Sequence, residues 1–449
     1  MSGGEFRRGV VSRSRKLLGM ATRVAGHEVA QRVSERVARS AERLGADTVL
    51  RRVKQAQIIA DHLSELKGAA MKAGQFLSID ASDLLPPEAA EVLRSLQSDA
   101  EPVPFETVRQ VLAEDLGAAS LERLEGLAET PAAAASIGQV HTASVAGRKV
   151  AVKVQYPGVA ESIPSDLAVL RKVAASFLVA SGRRIPLDAI FEELETILTL
   201  EADYRHEAES MAAYRKLLVS DGRYRVPEPH LDLSSERVLV MSWLDGVPLG
   251  RWIAGSPPLA DRQRVAEALL DLYCSEFFDW GLVQTDPNPG NFLITPKGEV
   301  GILDFGATMA FEPSFRAEYV ELLRCVGDDD DDALLQASIE FGILDARESE
   351  EARTRFIEMM RAAAQPFSPE VQPFRFRDPD YQRKAREVVF AFMQAIRFTP
   401  PPRRLIFLHR KLGGLFNILK SLDVTLDLEQ YWGRMVGSPP PEGWGRAAG

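Results

Sequence analysis

The feature that most constrains the fold is a change of period near residue 125. Upstream, apolar residues recur at helical spacing. Downstream, "RKVAVKVQY" (148–156) alternates and is rich in valine, which predicts a strand. "RVLVMSWLDGVPL" (237–249) predicts a second, buried strand that leaves into a turn at Asp245–Gly246. Helical patterns fill 161–180 and 188–217, and the chain after Gly246 is mainly helical, with one helix around 262–280. Strands first and helices afterwards predict an α+β chain with a small sheet-containing lobe and a larger helical one.

With 449 residues the chain exceeds what one compact domain usually holds. The pattern divides it into a basic helical segment (1–47), a helical extension (48–124), a strand-containing lobe with a helical insertion (125–247), a helical lobe (248–436) and a Pro/Gly-rich tail expected to be disordered (437–449). A net charge of −10 argues against bulk nucleic-acid binding. The two cysteines, Cys274 and Cys325, have no metal-ligand spacing and indicate a reducing compartment. The start is polar and arginine-rich, unlike a signal peptide, and no run approaches the roughly 18 apolar residues of a spanning helix. The expectation is a cytoplasmic protein, free or attached peripherally to a membrane. The apolar stripe Leu17, Leu18, Val24, Val29 and Val33, set among arginines, suits an anionic lipid surface and packing on its own domain equally.

The chemistry concentrates in "QTDPNPGNFLITPKGEVGILDFGAT" (284–308), which holds two acids and an amide on rigid turns around a pair of short apolar runs. A bound triphosphate needs hard cations, and Mg²⁺ prefers carboxylate and amide oxygens. An Asp near the transferred group orients or deprotonates the nucleophile, and a strand lysine held by a helix glutamate neutralises phosphate charge. The chain carries these parts in order: Lys153 in "VAVK", Glu207 in "EADYRHEA", Asp286 and Asn291 in the proline-rich loop, and Asp304 in "DFG". Asp286 to Asn291 keeps the Asp-to-Asn spacing of a protein-kinase catalytic loop. Each piece alone is weak, and the ordered set is strong. Two departures stand out. "PAAAASIGQVHTA" (131–143) replaces the glycine-rich loop, with a stiffer backbone. Gln284 and Thr285 replace the catalytic-loop His-Arg pair.

Together "KAGQ" (72–75), "AAASIGQVH" (133–141), "VAVKVQYPG" (150–158), "EADYRHEA" (201–208), "QTDPNPGNF" (284–292), "LDFGAT" (303–308) and "PPP…LHRKLGG" (400–414) resemble the UbiB (AarF/UbiB) family of atypical kinase-like proteins. The resemblance runs from about residue 49 to about residue 421. It implies a bilobal protein-kinase-like fold with an N-terminal helical extension, using ATP and Mg²⁺ in ubiquinone-type or related lipid metabolism. It also implies quinone-biosynthesis proteins as partners. By the same resemblance Lys72 and Gln75 lie in a helix covering the active site, and Glu201 and Asp203 interact with that segment. Ala133, Ala134, Ala135 and Ser136 lie over the nucleotide phosphates. Lys153 contacts phosphate with Glu207 as its partner, Asp286 is the catalytic acid, and Asn291 and Asp304 hold magnesium. Residues from Met241 to Leu244 meet the adenine.

Other readings stay open. Such a chain can be a catalytically silent, nucleotide-gated scaffold, or an authentic kinase of a small-molecule or protein acceptor. The acids Asp328 to Asp332 predict a solvated helix start rather than a metal site. His141, His206 and His409 are expected to be structural hydrogen-bonding residues.

Overall fold

The computed structural model describes residues 102–135, 137–181, 187–399 and 403–437. The expected basic segment, most of the helical extension with Lys72 and Gln75, Ser136 and all but the first residue of the tail lie outside the described residues. The chain divides into two compact units, residues up to Glu209 with Pro229–Trp243, and Ser210–Glu228 with Leu244 onward.

In the first unit, helix α1 (Phe105–Glu122) precedes strands β1 (Ala133–Ala135), β2 (Gly138–Val145) and β3 (Arg148–Gln155). Helices α2 (Val159–Ser181), α3 (Leu187–Glu201) and α4 (Tyr204–Leu217) follow, and the unit boundary falls inside α4. Strand β4 (Tyr224–Arg225) belongs to the second unit and β5 (Val238–Ser242) to the first. The sheet runs β1-β2-β3-β5, antiparallel throughout. Residues Ala146 and Gly147, both at positive φ, close the β2–β3 hairpin in two residues, the tight turn whose twist matches its strands. Val108, Val111 and Leu112 share one face of α1 and pack on Val150, Val152 and Val154 of β3 and Val238 and Val240 of β5. Each such burial contributes about 1.5–3 kcal/mol before chain entropy is counted.

Two differences from expectation have local causes. The alanine-rich stretch is a short strand, not only a loop, because Ala133 to Ala135 pair with Val140 to Gly138 and satisfy their backbone groups. The single helix expected over 188–217 breaks at Ala202. Asp203 accepts from the backbone of Arg205 and His206 at 3.0 and 3.1 Å and so starts a new helix.

The second unit continues with β6 (Val247–Pro248), α5 (Leu249–Ala254) and α6 (Leu259–Cys274), then a π-helical turn at Ser275–Trp280. Strands β7 (Leu282–Gln284), β8 (Phe292–Ile294), β9 (Val300–Ile302) and β10 (Thr308–Ala310) surround the acidic loops. Helices α7 (Pro313–Gly327), α8 (Asp331–Phe341) and α9 (Glu350–Ala364) follow. After β11 (Phe374–Arg375) come α10 (Pro379–Ala395), α11 (Arg403–Leu422), β12 (Thr425–Leu426) and α12 (Glu429–Val436). One sheet runs β4-β9-β8-β6, while β7 pairs with β10 and β11 with β12. Phe277 sits at the centre of an aromatic cluster with Phe278, Phe311 and Tyr319, all edge-on within 5.5 Å. The acidic run caps a helix: Asp330 accepts from Ala333 N at 2.9 Å at the start of α8.

Candidate functional site

In the first unit, Lys153 stands in β3 opposite Val140 on one side and Leu239 on the other. Both neighbours are core strands, so the lysine is buried and needs a counter-charge. Glu207, in the first turn of α4, supplies it: Lys153 Nζ donates to Oε1 at 2.9 Å and to Oε2 at 2.8 Å. The ammonium also lies 4.6 Å from the centre of the Tyr204 ring. Glu201, the last residue of α3, is buried, and Asp203 caps α4. Ala133 and Ala134 are exposed on edge strand β1, with Ala135 half-buried. Met241 is buried in β5, in register with Ala151. His141 is fully buried, with Nδ1 2.8 Å from Ala128 O and Nε2 2.8 Å from the Gln139 amide.

The second unit holds the loop that β7 delivers. Thr285 is tied to Ala307 through its backbone N–H at 3.0 Å and its hydroxyl at 2.7 Å. The three residues before β8 form a 3₁₀ turn, which Asn288 caps through Gly290 N at 2.9 Å. That turn returns Asn291 to Asp286: the Asn291 amide donates to Asp286 O at 3.1 Å and to its carboxylate Oδ2 at 3.0 Å. With its N–H groups directed at Asp286, the amide of Asn291 keeps its carbonyl oxygen as the atom able to ligate a cation. Leu303 N donates to Asn291 O at 2.9 Å, which fixes the segment entering Asp304 against the loop. Asp304 is half-buried, and its Oδ1 accepts from Gly306 N at 3.0 Å in a turn closed by its own side chain. Leu244 is half-buried in the same unit.

Helix α11 adds residues that sequence reading did not single out. Arg410 donates to Asp286 Oδ1 at 2.8 Å, with both side chains nearly inaccessible. Its neighbour Lys411 donates to Gln284 Oε1 at 3.1 Å and pairs with Glu276 at 2.9 Å. Gln284 in turn donates to Asp286 O at 2.7 Å. Glu276 lies on the π-helical turn and accepts from the Tyr214 hydroxyl at 2.8 Å. Burial raises the Glu276 carboxyl, opposed by the Lys411 ammonium. Burial also raises the Tyr214 hydroxyl well above its ordinary value, with the Glu276 charge adding to it. Gln284 therefore occupies one of the positions of the missing His-Arg pair, and it braces the acid through the backbone. Gly414, one turn beyond Arg410, must lack a side chain: a Cβ there would lie 2.0 Å from Pro287 Cγ. The only signal for α11 in the sequence was "LHRKLGG" as part of the resemblance.

A strand lysine paired with a buried helix glutamate, and an Asp–Asn loop followed by an Asp turn, are the parts of a kinase-like protein. Residues 95–338 match the ABC1 atypical kinase-like domain. The chain is 34% identical over 396 residues to the atypical kinase COQ8B, mitochondrial, of Rattus norvegicus, covering 86% of this chain and 74% of that protein. It is 32% identical over 372 residues to the atypical kinase COQ8, mitochondrial, of Saccharomyces cerevisiae, covering 82% and 73%. Among solved structures, the complex of Rv3197 with erythromycin from Mycobacterium tuberculosis aligns with a TM-score of 0.60 at 29% identity, covering 90% of this chain and all of that one. The chain belongs to the ABC1 (AarF/UbiB) family of atypical kinase-like proteins, and it is a kinase-like enzyme of α+β fold.

Proposed function

We propose that the protein is an ATP-binding, Mg²⁺-dependent atypical kinase or ATPase that supports isoprenoid-quinone (ubiquinone-type) or related lipid metabolism. The observation that carries the reading is the closed arrangement of Asp286, Asn291 and the backbone entering Asp304. It leaves the Asn291 carbonyl oxygen and the second Asp304 oxygen for a hard cation. Among the described residues, no group of three or more His, Cys, Asp or Glu is placed to hold a metal alone. A cation here would therefore draw further ligands from phosphate oxygens and water, as nucleotide-bound magnesium does.

Lys153, held straight by Glu207, would balance phosphate charge. Asp286 would orient the attacking water or hydroxyl. Asn291 and Asp304 would ligate magnesium, which supplies charge neutralisation on the transferring phosphoryl group. Ala133 to Ala135, with Ser136, would lie over the phosphates, and Met241 to Leu244 would meet the adenine. Lys72, Gln75, Glu201 and Asp203 would regulate access. The chain would divide into a helical extension before residue 125 and two kinase-like lobes whose boundary in the sequence falls near residue 247. Quinone-biosynthesis proteins would be its partners, as the family resemblance implies; the two named relatives are mitochondrial atypical kinases.

A second reading rests on Arg410. An acid engaged by a buried guanidinium suits a nucleotide-gated scaffold, in which Asp286 has a structural role. Phosphate release from Mg-ATP separates the two, with label transfer to any added acceptor followed in parallel. Turnover that collapses in Asp286→Asn supports the enzyme; nucleotide binding without turnover in the wild type supports the scaffold. Asp304→Asn is expected to weaken Mg-nucleotide binding at least about tenfold, the loss of a charged ligand. Unchanged affinity with an intact fold would remove Asp304 from the metal site.

A further inference from the structure

Helices α9 and α10 pack antiparallel. Phe356 meets Phe392 at 5.6 Å between ring centres, and the Tyr381 hydroxyl donates to Ala362 O at 3.4 Å. The start of α9 therefore lies beside the end of α10, and residues of both line a cleft of about 630 Å³. Its charged lining is three arginines, Arg347, Arg355 and Arg397, against one acid, Glu351, a net of two positive charges. The whole chain carries −10, so a cationic cleft runs against its average. Each arginine comes from a different piece: the turn before α9, the second turn of α9, and the segment after α10.

The arginines are held in place yet can turn to an anion. The buried Glu348 carboxylate accepts backbone N–H groups from Arg397 at 3.0 Å and from Phe398 and Thr399 at 2.7 Å, which fixes the segment bearing Arg397. The Arg347 guanidinium lies 4.8 Å over the Phe398 ring. Arg347 pairs with Asp345 and Arg355 with Glu358, both exposed pairs that contribute little and exchange readily. The Arg397 guanidinium has no hydrogen-bond partner among the described residues. Ser349 stands in the same lining and is exposed. It is the N-cap of α9, extended at φ −65° and ψ 160°, and its hydroxyl oxygen accepts from Ala352 N at 3.2 Å. Capping needs only that oxygen, so it leaves the three arginines around it unexplained.

We propose that Ser349 is a phosphorylation site and that Arg347, Arg355 and Arg397 receive its phosphate. A protein kinase acting in trans transfers the γ-phosphoryl group of a nucleoside triphosphate. The bond from Ser349 Oγ to phosphorus forms, and the bond from phosphorus to the bridging oxygen breaks. The nucleoside diphosphate departs with that electron pair, and the hydroxyl proton passes through the kinase's base to solvent. Phosphoserine carries about −1.5 to −2 charges at pH 7 and three acceptor oxygens, which matches both the net charge of the cleft and its set of arginines. At an N-cap that charge also suits the helix dipole. Glu350 and Glu351, in the first turn of α9, oppose it, and the three guanidinium groups outweigh them. The product ties the turn before α9, α9 itself and the segment after α10 into one piece. The inference uses none of the residues assigned to nucleotide chemistry.

The test uses the full chain made twice, unmodified and with phosphoserine installed at position 349 during translation. Followed by phosphorus NMR, the phosphate should titrate near about pH 5, against about 6 for a phosphoserine without a partner. Arg355→Gln/Arg397→Gln should return it to about 6 with unchanged circular dichroism. The phosphorylated chain should melt about 2 °C or more above the unmodified one, and the double variant should lose that gain. Phosphopeptide mapping of the chain purified from the cells that make it should find phosphate on Ser349. Ser349→Asn, which keeps a capping oxygen, is the blank. A phosphate that titrates at about 6 in the wild type, a midpoint unmoved by modification, or a bare Ser349 in the native protein each overturns the proposal. Label on Ser349 after the purified chain is incubated alone with Mg-ATP supports it and makes the modifying kinase a second copy of this chain.

Discussion

Lys153 and Glu207 are buried within one unit and are each other's counter-charge, which makes the pair a test of site architecture separate from catalysis. Removing one partner leaves a charge in a dry environment, at about 3–5 kcal/mol, whereas exchanging both for apolar groups of similar volume is nearly neutral. Lys153→Met should therefore lower unfolding free energy by that amount in urea titration, and Lys153→Met/Glu207→Leu should recover most of it. A loss below about 1 kcal/mol in the single variant would mean the pair is hydrated and the lysine dispensable to the fold.

Elements differ in how much of them the sequence disclosed. Strands β3 and β5 were legible because their valines satisfy a two-residue period on their own. The Asp286 loop was legible because prolines, a glycine and polar turn residues fall within eight positions. Strand β2 was not, because Gln139 and His141 put polar side chains at buried positions. They are tolerated only because Val103 and Ala128 meet them, from outside the strand. Helix α11 was the least visible. "HRK" on a helix reads as a solvated basic face, and only tertiary packing, 124 and 127 residues away in sequence, buries Arg410 and Lys411 against the loop. Gly414→Ala forces the helix away from Pro287, so it should cost about 1–3 kcal/mol and reduce phosphate release while nucleotide affinity stays near wild type. Gly413→Ala, where the added Cβ meets nothing within 4 Å, is the control. Equal behaviour of the two variants would show that the helix does not brace the loop.

For the molecule as a whole, pH tests how the C-terminal helices are held. Burial pulls the Glu348 carboxyl upward, but hydrogen bonds from Phe398, Thr399 and Arg397 outweigh it and hold the group below its ordinary 4.5. A carboxyl depressed in the folded state contributes stability above its unfolded value and loses it as pH falls toward the folded one. Wild-type stability should thus decline below about pH 4.5, and Glu348→Gln should flatten that decline. The same variant should cost about 1–3 kcal/mol at neutral pH, read by thermal and denaturant melts. An acid limb identical in both proteins would remove Glu348 from the account. The recognisable domain ends at residue 338, yet Arg410, Lys411 and Gly414, which grip the Asp286 loop, come from beyond it. A fragment cut at the domain's border would carry the acid without the cation that meets it. The portable piece of this protein is longer than the stretch that matches the ABC1 domain.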